Sequence, residues 1–104
     1  MGTYNKIVRN NIPDMLKELG KRFDYEILEE EKALEALYLN LIATIYDGLD
    51  SKSLSDIVES IDLLTEIGKE YGYSEEEINN FRNTTKKEKG DFSKKIFLKK
   101  TYYI

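Results

Sequence analysis

Apolar residues between Glu29 and Gly48 recur at the spacing of one helical stripe. Positions i, i+3, i+4 and i+7 share one side of an α-helix, so the recurrence predicts an amphipathic helix. The stripe consists of Leu34, Leu37, Tyr38, Leu41, Ile42 and Ile45. A second stripe is nearly all small and predicts that another backbone approaches closely: Ala33, Ala36, Asn40, Ala43 and Asp47.

Capping residues predict three further helices. Asn11 before a proline is typical of a helix start and gives a short helix over 12–19. The other two begin at a serine followed three residues later by an acidic residue, and cover about 54–71 and 75–89. The third helix has its own apolar stripe, formed by Leu54, Ile57, Val58, Ile61 and Leu64.

These elements predict an all-α fold, a four-helix bundle that forms one domain over residues 1–104. Short extended segments are expected near residues 23–28 and 92–98, where aromatic and β-branched residues occur. Such a small chain buries a modest core, so we expect a homo-oligomer. Leu63 and Ile67 lie away from the main stripe of the third helix and are expected to contact another subunit.

The residue types that are missing restrict the chemistry. The 104 residues include no cysteine and no histidine, which excludes disulfides, thiolate nucleophiles and histidine-based triads. Catalysis would have to use carboxylates, lysine, tyrosine, hydroxyls or a metal held by oxygen. No apolar run approaches the roughly 18 residues of a membrane span, and the first ten residues lack the apolar core of a secretory signal. We therefore expect a cytoplasmic protein without a membrane partner.

Charge is strongly separated along the chain. Residues 1–23 carry a net +3, residues 24–81 a net −13 and residues 82–104 a net +6. The lysine-rich end attracts phosphate groups or is simply a solvated surface, and both interpretations stay open. The chain has a pI of 4.9, and its sequence contains no recognisable DNA-recognition motif. We therefore do not expect it to bind duplex nucleic acid.

Carboxylates recur on the third helix at spacings of three and four residues, and Asp47 lies near the end of the preceding helix. Facing helices that each offer carboxylates can hold a hard cation such as Mg²⁺. A solvated acidic helix surface is the alternative. The carboxylates in question are Asp56, Glu59, Asp62 and Glu66.

The order of these pieces resembles the all-α nucleoside triphosphate pyrophosphohydrolases, the MazG-like superfamily, and within it a small single-domain subgroup. The opening over residues 4–13, YNKIVRNNIP, resembles the subgroup's YNKLVRDKIP signature. The ending over residues 89–98, KGDFSKKIFL, is similar to its RGGFxKRIxL. The resemblance covers nearly the whole chain and implies a MazG-like four-helix bundle.

The resemblance also implies Mg²⁺-dependent cleavage of nucleoside triphosphates to monophosphate and diphosphate, with metal ligands from EExxE and ExxD motifs. The EExxE positions fall on Ala43, Thr44 and Asp47, and the ExxD positions on Ser53 and Asp56. Only the two aspartates keep a carboxylate, which predicts that magnesium binding is weak or absent and that hydrolysis is weak or lost. The implied metal ligands are Asp47, Asp56 and Glu59, with Asp62 as a further candidate. The implied phosphate-binding residues are Lys6, Arg9, Asn10, Lys86, Lys89 and Lys94.

Three functions therefore stay open. The chain is a homologue that binds a nucleotide or a related phosphate ligand, or an active pyrophosphohydrolase, or a protein-interaction module on the same bundle. In the active enzyme, Asp47, Asp56 and Glu59 would bind the metal, and either Asp62 or a carboxylate from residues 29–31 would complete the site.

Overall fold

The computed structural model describes residues 5–103, so Tyr4, with which the YNKIVRNNIP opening begins, lies outside the described residues. The structure contains helices α1 (Ile12–Glu18), α2 (Glu30–Ser51), α3 (Leu54–Glu70) and α4 (Glu75–Lys89). No β-strand occurs between residues 5 and 103, and the predicted all-α fold with four helices is confirmed. The segments near 23–28 and 92–98 are non-helical.

The serine caps form where the sequence predicts them. Ser53 Oγ accepts a hydrogen bond from the backbone N–H of Asp56 at 3.1 Å and begins α3. Ser74 and Glu77 form a reciprocal capping box at the start of α4. Gly90 follows the last residue of α4 with a φ of 82°, a conformation that glycine adopts without a steric penalty.

The cap of α1 and the end of α2 differ from the prediction. The side chain of Asn11 makes no capping hydrogen bond, so the proline and not an asparagine cap marks the start of α1. α2 continues through Gly48 to Ser51, and the residue that follows, Lys52, caps it with a left-handed φ of 52°. An internal glycine costs a helix only about 1 kcal/mol, and the N–H of Lys52 bonds to the carbonyl of Gly48 to close the last turn.

The core lies between α2 and α3 and is small. Its buried residues are Leu37, Leu41, Leu63 and Ile67, with Ile7 and Leu34 packed against them. The prediction that Leu63 and Ile67 contact another subunit is wrong, because these side chains are 7% and 3% exposed and face α2. Both stripes of α3 are apolar, and helical spacing alone does not say which one meets α2.

The stripe of α3 that the sequence assigns to the core is exposed instead. Leu54, Ile57, Val58, Ile61 and Leu64 are between 43% and 75% exposed. On α2, the predicted stripe is split in the same way. Leu37 and Leu41 are buried, whereas Ile42 and Ile45 are exposed.

α4 packs on the C-terminal part of α3. A β-carbon added at Gly68 would lie 2.5 Å from Cδ1 of Ile78, so the missing side chain lets α4 approach α3 at this point. Among the helices between residues 5 and 103, none combines the length and the apolarity needed to cross a bilayer.

Candidate functional site between the N-terminal segment and the central helices

The N-terminal segment, residues 5–11, lies against α2. Asn40 Nδ2 donates to the carbonyl of Ile7 at 3.0 Å, and Thr44 Oγ1 donates to the carbonyl of Asn40 at 2.8 Å. Asn40 belongs to the small-residue stripe of α2, and the N-terminal segment is the backbone that approaches it. The sequence places Asn40 in that stripe but assigns it no role. The signal in the sequence that could have identified this contact is a polar residue, Asn40, in a stripe made largely of alanines.

The side chain of Arg9 joins this segment to α3. Arg9 Nε lies 2.9 Å from Oε1 of Glu59, and Arg9 Nη1 lies 2.7 Å from Oδ2 of Asp62. The two carboxylates are three residues apart on α3, so one planar guanidinium reaches both. The hydrogen bond to Asp62 and the charge of Glu59 raise the pKa of Arg9.

Arg9 thus brings together residues that the resemblance assigns to different roles. The resemblance implies that Arg9 binds phosphate. It implies that Glu59 and Asp62 bind Mg²⁺. In the structure the guanidinium pairs with both carboxylates. A hydrated magnesium ion at this site would compete with Arg9 for the same two carboxylates.

A cavity of about 260 Å³ lies between the N-terminal segment and α2. Asn5 and Lys6 of the N-terminal segment line one part of it, and short side chains of α2 leave space opposite them. The α2 residues are Ala36, Leu39, Asn40 and Ala43. The volume is slightly below the range of about 300–1,000 Å³ for small-molecule pockets, and Lys6 supplies a cation at the cavity.

The other two implied metal ligands lie near the junction of α2 and α3. The Asp56 carboxylate accepts a hydrogen bond from the Ser51 hydroxyl, and the Ser53 hydroxyl is used in the helix cap. Asp47 is exposed on α2. Within residues 5–103, no three carboxylates converge closely enough to hold a metal ion.

The remaining implied phosphate ligands are not joined to the cavity. Asn10 is exposed in the turn before α1, and Lys86, Lys89 and Lys94 lie at or after the end of α4. In the part of the chain that the structure describes, no hydrogen bond or ion pair connects these three lysines with Lys6 or Arg9. None of these residues lines the cavity between the N-terminal segment and α2.

One acidic group among these lysines is perturbed. The backbone N–H of Ser93 donates to Asp91 Oδ1 at 3.0 Å, and this hydrogen bond lowers the pKa of Asp91. The charge of Lys86 acts in the same direction.

Comparisons with protein-family models, with curated proteins and with solved structures find no match to this chain.

Proposed function

We propose that this chain binds a nucleotide or a related small phosphate-bearing molecule in the cavity between the N-terminal segment and α2. The observation that supports this proposal is the position of Lys6 on a cavity whose opposite side is formed by alanines. The proposal includes a second part, which is that the chain hydrolyses the bound molecule weakly or not at all.

The electrostatics of the cavity favour an anion. Its lining contains one lysine, two asparagines and three apolar residues, and no carboxylate. On α3, Glu59 and Asp62 are paired with Arg9, which reduces their repulsion of a phosphate. A lysine ammonium and asparagine amides both donate hydrogen bonds to phosphate oxygens.

The weak hydrolysis follows from the residues at the implied metal positions. Cleavage of a triphosphate needs cations that neutralise the leaving diphosphate and a positioned water. Ala43 supplies no ligand, and Thr44 is buried with its hydroxyl donating to Asn40. Ser53 caps α3. These side chains cannot replace the carboxylates of an EExxE and ExxD site.

A cytoplasmic location and a homo-oligomeric state belong to the same proposal. The absence of cysteine is compatible with a reducing compartment. Self-association is supported by the exposed apolar residues of α2 and α3.

Calorimetry with a panel of nucleoside triphosphates and diphosphates tests the binding. We expect measurable affinity for at least one nucleotide, and a Kd at least about fivefold higher in Lys6→Ala, because a charge-assisted hydrogen bond is lost. Lys17→Ala, on α1, is the matched control and keeps the wild-type Kd. Failure of every nucleotide to bind, or an unchanged Kd in Lys6→Ala, would remove the cavity as the site.

A diphosphate-release assay with Mg²⁺ or Mn²⁺ tests the chemistry separately. We expect no release above the uncatalysed rate. Rapid release that Asp56→Asn abolishes would favour the active pyrophosphohydrolase over the binding protein.

A further inference from the structure

The N-terminal segment forms one wall of the cavity but belongs to none of the helices. Asn5 and Lys6 line the cavity, and the segment ends where α1 begins. In the described part of the chain, α1 has no buried residue and packs on none of the other three helices. The position of this wall therefore depends on the contacts that the segment itself makes with α2 and α3.

The contacts of the segment with these helices come from Ile7 and Arg9. The side chain of Ile7 packs against the core between α2 and α3, and its carbonyl accepts a hydrogen bond from Asn40. Arg9 adds its ion pairs with α3. Between residues 5 and 103, no backbone hydrogen bond joins the segment to α2, α3 or α4. The ion pairs of Arg9 are thus a large share of what holds the segment in place.

The ion pairs of Arg9 restrict the position of the segment because they use two nitrogens of one planar group. Nε lies 2.9 Å from Glu59, and Nη1 lies 2.7 Å from Asp62. A guanidinium that pairs with two carboxylates is fixed in orientation as well as in place. The three side chains are between 36% and 51% exposed, so each ion pair is weak by itself and can open. Docking of the segment on α2 is therefore an equilibrium that these ion pairs shift towards the docked state.

We propose that Arg9 is a positioning residue for the cavity. Its ion pairs with Glu59 and Asp62 keep the N-terminal segment on α2, and Lys6 stays at the cavity as a consequence. Only two residues separate Lys6 from Arg9, so a segment released at Arg9 no longer fixes the lysine. This inference rests on the proposed function, because it concerns the binding of the same ligand in the same cavity.

The contacts favour this role over a direct contact between Arg9 and phosphate, which the resemblance implies. Arg9 is not among the residues that line the cavity. Its Nε and Nη1 already donate to carboxylates of α3, whereas the helix that lines the cavity is α2. A guanidinium that turned to a phosphate would leave Glu59 and Asp62 without their partner.

Docking of the segment and binding of the ligand are linked quantitatively. If only molecules with a docked segment bind the ligand, the apparent Kd equals the intrinsic Kd divided by the docked fraction. A variant that lowers the docked fraction by a given factor therefore raises the Kd by the same factor. The two quantities can be measured separately, which makes the linkage testable.

NMR spectroscopy of the ligand-free full chain measures docking. The side-chain amide protons of Asn40 report the hydrogen bond to Ile7, and NOEs from the Ile7 methyl groups to the core between α2 and α3 report the packing. In the double variant Glu59→Gln/Asp62→Asn, and in Arg9→Ala, we expect weaker NOEs and an Asn40 amide that resembles a solvated one. Wild-type signals in both variants would overturn the inference.

Calorimetry in a buffer without divalent ions measures binding of the tri- and diphosphates of adenosine, guanosine, cytidine and uridine. We expect Glu59→Gln/Asp62→Asn to raise the Kd of the best-binding nucleotide several-fold, by the factor that NMR gives for the loss of docking. Arg9→Lys should lie between the wild type and Arg9→Ala, because a compact ammonium does not hold two carboxylates in a fixed fork. A direct contact between Arg9 and phosphate predicts the opposite sign. Removal of the two acids would then free the guanidinium and lower the Kd.

The matched control is Asp50→Asn/Glu70→Gln. It changes the charge of α2 and α3 by the same amount at two exposed positions that form no ion pair within residues 5–103. Comparison with this control removes the general effect of two fewer negative charges on the attraction of a phosphate. We expect the control to keep wild-type docking and to bind the nucleotide at least as tightly as the wild type.

Failure of this inference differs from failure of the proposed function. If no nucleotide binds the wild type, the proposed function fails and the role of Arg9 in ligand binding fails with it. If a nucleotide binds and Lys6→Ala weakens it, but Glu59→Gln/Asp62→Asn binds as tightly as its control, only the positioning role is overturned. Lys6→Ala is expected to raise the Kd without changing the NMR signals of docking.

Discussion

Arg9 Nη1 lies 2.7 Å from Oδ2 of Asp62 and thereby ties the N-terminal segment to α3. The same guanidinium contacts Glu59 at 2.9 Å. A cation from the protein thus occupies the position next to two carboxylates that the resemblance assigns to Mg²⁺. A metal ion bound there would compete with Arg9 for the same two carboxylates.

This competition predicts that Arg9→Ala binds Mn²⁺ more tightly than the wild type. Removal of the guanidinium leaves Glu59 and Asp62 without their ion-pair partner, and unpaired carboxylates are better ligands for a hard cation. Titration calorimetry measures the change as a several-fold lower Kd. Arg22→Ala is the control, since Arg22 makes no ion pair within residues 5–103. Equal Mn²⁺ affinity in Arg9→Ala and the wild type would contradict the competition.

Ser53→Ala is predicted to destabilise the fold by about 1 kcal/mol, the usual cost of removing a helix cap. Ser53 Oγ accepts from the N–H of Asp56, and alanine leaves that donor without this partner. Urea unfolding at a fixed protein concentration measures the change in free energy. Ser55→Ala, in the first turn of α3, is the matched control and should cost less, because alanine is the better helix former. Equal losses in the two variants would show that the cap contributes little.

The serine cap also shows what the sequence could predict. Ser53 and Asp56 are three residues apart, and a cap depends only on such local spacing. The same holds for the capping box of α4 and for Gly90. The interactions of Arg9 are different, because its partners lie on α3 and no local pattern assigns them. The sequence identified Arg9, Glu59 and Asp62 as candidate site residues. It assigned Arg9 to phosphate binding and the two acids to metal binding, and it did not predict that they contact one another.

The two stripes of α3 show a second limit of local patterns. Ile57 and Ile61 belong to the wider stripe, which the sequence assigns to the core, and Ile67 to the narrower one. α2 packs on the narrower stripe. Helical spacing identifies both stripes. Which of them is buried in the chain depends on the element that packs against each one, and spacing does not give that. A second copy on the wider stripe would make both stripes core.

Tyr71 is predicted to ionise above its ordinary pKa of 10.0 because the hydrogen bond with Tyr38 favours its neutral form. The folded-state pKa is raised, so the stabilising contribution is complete below about pH 10 and is lost as the pH rises through the folded-state pKa. Carbon-13 NMR of the tyrosine rings follows the titration. Tyr38→Phe should return the pKa of Tyr71 towards 10.0, and Tyr46→Phe should not change it. A Tyr71 that titrates normally in the wild type would rule out the hydrogen bond in solution.

Ile67→Ala is predicted to lower the free energy of unfolding by about 2–5 kcal/mol, the range for removing a buried aliphatic side chain. Ile67 is 3% exposed and packs with Leu37, Leu41 and Leu63 between α2 and α3. Within residues 5–103 every buried hydrophobic residue lies in α2 or α3, so few other contacts compensate for the cavity. Chemical unfolding at equal protein concentrations gives the free-energy difference, and Leu19→Ala, at a position 70% exposed, should change it by less than about 0.5 kcal/mol. If Ile67 instead formed a subunit contact, Ile67→Ala would reduce the oligomer mass while leaving the unfolding of the diluted single chain unchanged. A large loss of stability that persists on dilution is therefore the result that fixes Ile67 in the core of the chain itself.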